Sequence, residues 1–190
     1  MSALKRITAM AFVLLALQAA APARAASLQV WNGWSWSDSG TVDFYGPVEF
    51  SYVGSGQRCD MRMSLSIVNG SATVTSASFT GNGNCDSLTA HALPWRFSAI
   101  WQYSGSVPPV VAAPVMTPPL YSVDIAGLRI AFSGPFGVTC PNPSGTATMT
   151  AYLDHAYPAN GLVFSATLGP CRLQTRSSMA LRSSTPVKAI

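Results

Sequence analysis

Residues 61–79 decide the fold, and they read MRMSLSIVNGSATVTSASF. In residues 61–67 every second side chain is apolar and those between are Arg or Ser, which is the period of a half-buried β-strand. Asn69-Gly70 follows, and this dipeptide suits a type I′ turn because both residues tolerate a positive φ. The Thr- and Ser-rich residues 74–79 then predict a returning strand. The stretch therefore predicts an antiparallel hairpin.

The same alternation recurs on both sides of this hairpin. It is found in residues 42–52, 95–103, 121–132, 147–153 and 162–168, and a last candidate strand spans about residues 172–181. Gly46-Pro47 interrupts the first of these stretches, which predicts a bent or edge strand, or two short ones. After residue 25, no stretch keeps helical spacing for three turns. About 8–10 short strands predict an all-β, antiparallel β-sandwich, and a closed β-barrel is the alternative.

Residues 1–25 have the pattern of a secretory signal peptide. Lys5 and Arg6 precede an almost wholly apolar run, and Ala23-Arg24-Ala25 places small residues at the −3 and −1 positions of a cleavage site. The run is too short for a permanent membrane helix, which needs about 20 residues. We expect cleavage after Ala25, with Ala21 as the alternative, and no transmembrane segment in the mature chain. Residues 26–190 are then a single domain that is secreted or at the cell surface, or else periplasmic.

The composition excludes several classes of function. Charged residues make up 9% of the chain, against about 25% in an ordinary soluble domain. Outside the predicted signal peptide, 8 basic residues face 7 acidic ones, so no electrostatic case for a nucleic-acid partner remains. The apolar fraction of 48% excludes disorder driven by charge.

The four cysteines, Cys59, Cys85, Cys140 and Cys171, predict disulfides because they are even in number and follow an export signal. Four cysteines allow three connectivities, and the sequence alone does not choose among them. We favour Cys59–Cys85 and Cys140–Cys171, because each pair brackets the same kind of strand-and-turn unit. A zinc site is not expected, since the chain has no Cys-x-x-Cys pair.

Nothing in the sequence nominates a catalytic centre, a metal site or a cofactor. There is no Gly-x-Ser-x-Gly stretch, and Asp154-His155 is better interpreted as a polar pair near a turn, because neighbours on a strand point to opposite faces. Residues 82–86 resemble the start of a calcium loop, but the twelfth position is Leu93, where a glutamate is required. We therefore expect a protein that is not an enzyme.

Two apolar segments are candidates for contact with a ligand or a surface. The first holds Trp31, Trp34 and Trp36. Exposed tryptophans can stack on sugar rings or insert into apolar surfaces. For these three, packing in the core as part of a first strand is the preferred interpretation, with Trp34 and Trp36 on one face. Core packing is also expected for Trp95 and Trp101.

The second segment is the Pro-rich loop, which we define as residues 104–120. Five prolines stand in it among Val, Ala and Met, and proline removes the donors that a strand ladder needs. An apolar loop of this length is unusual in a compact domain. Its candidate contact residues are Val107, Val110, Val111, Val115 and Met116.

The middle of the chain resembles the protein activator of alkane oxidation (PraB) family of small secreted bacterial proteins. The resemblance rests on the order of residues 75–81 (TSASFTG), a cysteine and a Leu-Pro-Trp strand, and it spans about residues 42–171. The matching positions are Cys59, Asn69-Gly70, Cys85, Leu93-Pro94-Trp95, Cys140 and Cys171. Two parts depart from the family pattern: the Pro-rich loop looks inserted, and residues 31–36 lie outside it.

The resemblance implies a secreted or surface-located protein linked with the biofilm matrix and with access to hydrophobic substrates such as alkanes; it implies no catalytic residues. Low charge leaves little repulsion between copies and permits self-association. Our leading hypothesis is thus a non-enzymatic, surface-active or adhesive matrix protein whose partners are hydrophobic surfaces or matrix components. The alternative is a periplasmic or extracellular module that binds a glycan or a lipid.

Overall fold

The computed structural model describes residues 26–105, 107–133 and 137–190. The predicted signal peptide, residues 1–25, lies outside the described residues. Within them the strands are β1 (Leu28–Trp31), β2 (Trp36–Ser37), β3 (Gly40–Tyr52), β4 (Ser55–Val68), β5 (Ser71–Thr80), β6 (Leu88–His91), β7 (Trp95–Tyr103), β8 (Leu120–Phe132), β9 (Val138–Cys140), β10 (Ala147–Leu153), β11 (Gly161–Leu168), β12 (Cys171–Thr175), β13 (Leu181–Ser183) and β14 (Val187–Ala189). A short 3₁₀ helix, η1 (Cys85–Ser87), precedes β6. The described residues contain no helix with the length and hydropathy of a membrane-spanning segment.

Eight of these strands pair into a closed antiparallel barrel in the order β10-β11-β12-β3-β4-β5-β7-β8. The ring closes because β8 also pairs with β10, from Tyr121 opposite Leu153 to Leu128 opposite Ala147. The prediction of an all-β antiparallel fold is confirmed. Of the two architectures that the sequence left open, the closed barrel is formed. The strands of this ring do not divide into the two sheets of a sandwich, because each of the eight has a hydrogen-bonded neighbour on both sides.

The hairpin of residues 61–79 is confirmed as β4 and β5. Asn69 and Gly70 both have positive φ, 50° and 75°, as a type I′ turn requires. The predicted interruption at Gly46-Pro47 takes another form, since β3 continues through both residues. Their neighbour on one side is instead interrupted: β12 pairs with β3 up to Val48, and β13 pairs with it from Tyr45 onward. Pro47 thus lies where no ladder donor is needed.

Alternation along the strands fills the barrel with apolar side chains. Trp95 is fully buried in this core, as predicted, and its indole N–H donates to the carbonyl of His91 at 2.8 Å. Leu28 and Val30 of β1 join the same core. They belong to a separate three-stranded sheet in the order β14-β1-β2, which brings the two ends of the described chain together. There, the Ser27 N–H donates to the Ile190 carbonyl at 3.0 Å.

Both predicted disulfides are formed, and their pairing is the favoured one. Cys59 is joined to Cys85 with Cα atoms 5.6 Å apart, and Cys140 to Cys171 with Cα atoms 6.0 Å apart. Cys59 lies in the part of β4 that is close to the β3–β4 turn, and Cys171 pairs with the last residue of β3. We call this end of the barrel the disulfide end. We call the opposite end the loop end; the name refers to the Asn69-Gly70 turn that lies there.

Candidate functional site

The Pro-rich loop packs against the outside of the barrel. Leu162 and Phe164 of β11 belong to the main core, so Val163 between them points outward. Val163 is nevertheless fully buried, because the loop covers it. The residues that form this second, smaller core are Val110, Met116, Leu120, Val163 and Ala180.

Hydrogen bonds hold both halves of the loop in place. The Ala112 carbonyl accepts from the Ser178 N–H at 2.7 Å. Ser178 lies in the segment between β12 and β13. The Thr117 carbonyl accepts from the His155 N–H at 3.0 Å, and the Thr117 N–H donates to the Asp154 carboxylate at 3.4 Å. The loop is therefore a fixed part of the surface.

Two tyrosines lie beneath the loop. The rings of Tyr103 and Tyr152 meet edge to face with their centroids 5.1 Å apart, and both pack against the second core. The Tyr103 hydroxyl donates to the Val107 carbonyl at 3.2 Å. Burial raises the pKa of the Tyr152 hydroxyl above its usual value. The underside of the loop thus packs on two half-buried aromatic rings.

The outer side of the loop carries three of the five predicted contact residues. Val107, Val111 and Val115 are 66%, 79% and 100% exposed. The prediction of surface contact is wrong for Val110 and Met116, which are buried because they cover Val163. Two exposed residues lie next to the points where the loop is hydrogen-bonded to the barrel. Met179 follows Ser178, and Tyr157 is two residues after His155.

The tryptophans of residues 31–36 are not in the core, contrary to the preferred interpretation. Trp31 and Trp36 are half-buried, and they face each other across β1 and β2 with ring centroids 5.6 Å apart. Lys188 Nζ lies 4.7 Å from the Trp36 ring centroid, a cation–π distance. Trp34 is 92% exposed, because the Asn32 carboxamide oxygen accepts from the N–H groups of Trp34 and Ser35 and sets a turn there.

The position of Trp101 is a second correction. It was expected in the core but is exposed. A bulge in β7 between Phe97 and Ala99 shifts the alternation, so that Ile100 is buried and its neighbour Trp101 points outward.

The family model described as alkane oxidation protein activator PraA/PraB-like matches residues 1–186. The chain belongs to this PraA/PraB-like family. The resemblance seen in the sequence is confirmed, and the matched range includes the Pro-rich loop and residues 31–36. No curated protein and no solved structure matches the chain. An activator is an accessory protein, which is consistent with a role that does not require catalysis.

In this PraA/PraB-like chain, Asp154 and His155 occupy a structural turn. Asp154 is buried, and its carboxylate accepts from the N–H groups of Gly161 at 2.6 Å and Ala156 at 3.2 Å. His155 is exposed. Among the residues described, no group of three or more His, Cys, Asp or Glu side chains is placed to hold a metal ion.

Sequence reasoning missed Asn160, which connects this turn to the small sheet. Asn160 is buried; its amide donates to the Asp154 carbonyl at 2.7 Å, and its oxygen accepts from the Val187 N–H of β14 at 2.6 Å. Asn160-Gly161 is a turn dipeptide, which was the available signal. The sequence gives no sign that β14 returns to it.

Proposed function

We propose that this PraA/PraB-like protein acts without catalysis, by contact between its Pro-rich loop and hydrophobic substrates such as alkane droplets. One observation carries the proposal: a loop that is fixed on its underside turns Val107, Val111 and Val115 toward solvent. Exposed apolar surface of this kind marks sites of contact with partners or with apolar phases. A fixed loop also loses little conformational entropy when it adsorbs.

The expected strength of this contact follows from the area of three side chains. Full burial of an exposed valine side chain stabilises by about 1.5 kcal/mol or more. Because the three valines are 66%, 79% and 100% exposed, together they contribute about 4 kcal/mol. That energy corresponds to a partition change of about a thousandfold. The loop valines are therefore sufficient to decide whether the protein adsorbs to hydrocarbon at low concentration.

We further propose export, with residues 26–190 as a single mature domain that is secreted or at the cell surface. Two disulfides favour an oxidising compartment. With 8 basic and 7 acidic residues outside the first 25, neighbouring copies repel each other weakly. A layer of such copies on a droplet, or a matrix between cells, is compatible with that balance.

The first test replaces the outward valines in the mature protein: Val107→Ser, Val111→Ser and Val115→Ser together. We expect the concentration that gives half of the maximal lowering of hexadecane–water interfacial tension to rise at least tenfold, measured by pendant-drop tensiometry. Thermal unfolding should change little, because exposed substitutions of this kind shift stability by about 0.5 kcal/mol or less. Deleting residues 107–116 is a poorer test, because it also removes Val110 and uncovers Val163.

The matched control is the triple variant Tyr45→Ser, Val68→Ser and Ile190→Ser. These side chains are 54%, 57% and 60% exposed and lie outside the loop. The proposal requires this control to behave like the parent protein. Equal losses in both triple variants would mean that adsorption is a general property of the surface, and the proposal for the loop would fail.

A second candidate function, binding of a glycan or lipid at residues 31–36, is supported by the exposed ring of Trp34. An aromatic ring held at a turn is a common platform for a sugar ring. We expect saturable tryptophan fluorescence changes during titration with the correct ligand, and their loss in Trp34→Ala. Concentration-dependent aggregation without saturation would favour the matrix role instead.

A further inference from the structure

The disulfide end of the barrel holds a cavity that the proposed function does not use. Its volume is about 500 Å³, within the usual range of small-ligand sites of about 300–1,000 Å³. The lining residues are Phe50, Tyr52, Val53, Ser55, Gln57, Asn84 and Phe132. The Pro-rich loop lies at a different place on the barrel, so this site is independent of the contact proposed above.

The strand register explains one wall of the cavity. Phe50 pairs with Gln57, and Tyr52 pairs with Ser55, across β3 and β4. These four residues share the inward face with Val48 and Cys59, which form the next pair. The pairing of β5 with β4 ends at Asp60. The hairpin of β3 and β4 therefore extends beyond the end of β5, and this extension forms one wall of the cavity.

The floor of the cavity is aromatic. Phe50 and Phe132 are both buried in the main core, and their ring centroids are 6.2 Å apart. The two rings close the barrel interior below the cavity. A ligand in contact with them is in an apolar environment, which an aliphatic chain prefers to water.

Among the described residues that line the cavity, the polar groups are all uncharged. They are the Ser55 hydroxyl and the carboxamides of Gln57 and Asn84, besides the Tyr52 hydroxyl. The disulfide Cys59–Cys85 fixes Asn84 there, because Asn84 directly precedes Cys85. An ionised group would find no counter-charge among these residues and would have to keep its hydration, which draws less of the molecule into the cavity than an uncharged polar group allows.

From this lining we infer that the cavity binds a single-chain aliphatic molecule with one uncharged polar group, such as a medium-chain primary alcohol. The chain lies against Phe50 and Phe132. The hydroxyl exchanges hydrogen bonds with Gln57 and Asn84 near the opening.

The test is isothermal titration calorimetry on the mature, disulfide-bonded protein with 1-hexanol, 1-octanol and octanoate at pH 7. We expect one alcohol per chain and an affinity that rises about fourfold for each added methylene, as apolar burial dictates. Octanoate should bind at least tenfold more weakly than 1-octanol. Uptake without saturation, or equal affinity for octanoate, would overturn the inference.

Two matched variants locate the site. Ser55→Trp fills the cavity from the first residue of β4, after the turn at residues 53–54, and should weaken 1-octanol binding at least tenfold. Ser71→Trp is the control, because Ser71 is the first residue of β5 after the corresponding turn at the loop end, and it is also exposed. Binding that survives Ser55→Trp, or that is lost in Ser71→Trp, would place the alcohol elsewhere.

A third variant keeps the result informative if Ser55→Trp folds poorly. Asn84→Leu should reduce the preference for 1-octanol over octane at least fivefold, because it removes a polar partner and leaves the apolar floor intact. The triple loop variant at Val107, Val111 and Val115 should bind 1-octanol with unchanged affinity. Loss of 1-octanol binding in that variant would assign the alcohol to the loop and refute the cavity site. If the variant binds 1-octanol normally and adsorbs to hexadecane as well as the parent protein does, only the proposed function fails.

Discussion

Replacing all four cysteines by serine is expected to leave the protein largely unfolded at 37 °C. The disulfides join residues 26 and 31 positions apart in the sequence. On the chain-entropy model each therefore stabilises the fold by about 3–4 kcal/mol. Together they contribute about 7 kcal/mol, against a typical total stability of about 5–15 kcal/mol for a domain. The effect is large because this sum is comparable with the whole stability of a domain.

The two bridges can be separated experimentally. Cys59→Ser with Cys85→Ser releases η1 from β4, and Cys140→Ser with Cys171→Ser releases β9 from β12. Guanidinium unfolding, followed by circular dichroism, should show a loss of about 3–4 kcal/mol for each pair. The first pair should also weaken 1-octanol binding, since Asn84 is then no longer fixed. A change below 1 kcal/mol in both double variants would show that the strands alone hold this end together.

The second large effect is expected for Asn160→Ala. The substitution leaves the Val187 N–H and the Asp154 carbonyl without their partner in a buried place. An unsatisfied buried group costs about 1–3 kcal/mol, so the expected loss of stability for the two groups is about 2–6 kcal/mol. Because Asp154 also bonds to Thr117, the Pro-rich loop should become more mobile on its β8 side.

Asn142→Ala is the matched control for this variant. Like Asn160, the Asn142 side chain bonds to two backbone groups: its oxygen accepts from the N–H groups of Ser144 and Gly145. Asn142 is exposed, however, so water replaces the lost partner. We expect a loss below about 1 kcal/mol for it. Guanidinium unfolding measures both losses, and hydrogen exchange at Val187 reports on β14. Equal small losses in the two variants would contradict the role given to Asn160.

Local patterns in the sequence predicted most of the strands. The alternation in residues 61–67 and the Asn69-Gly70 dipeptide act over a few residues, so they can be recognised without knowledge of the fold. The closure of the barrel cannot be recognised in this way. It depends on the pairing of the edges of β8 and β10, and the same alternation of side chains is equally compatible with a sandwich in which these edges do not pair. The pairing of β1 with β14 is harder still, since its partners are at opposite ends of the described chain.

The candidate site was predicted in part, and the errors have a common cause. The Pro-rich loop stood out by composition, but composition does not say which apolar side chains face the barrel. Val110 and Met116 are buried because Val163, an outward residue of β11, needs cover. In residues 31–36 the core interpretation rested on the apolar character of the three tryptophans, whereas Asn32 sets a turn that leaves Trp34 in solvent.

The pairing of β1 with β14 has a consequence for how the molecule is made. Leu28 is among the first residues of the described chain to be synthesised, and its partner Ala189 is among the last. Until β14 has been synthesised, β1 lacks one of its two strand partners. A chaperone that captures extended apolar segments would find a target in β1, which reaches its native pairing only once β14 is available.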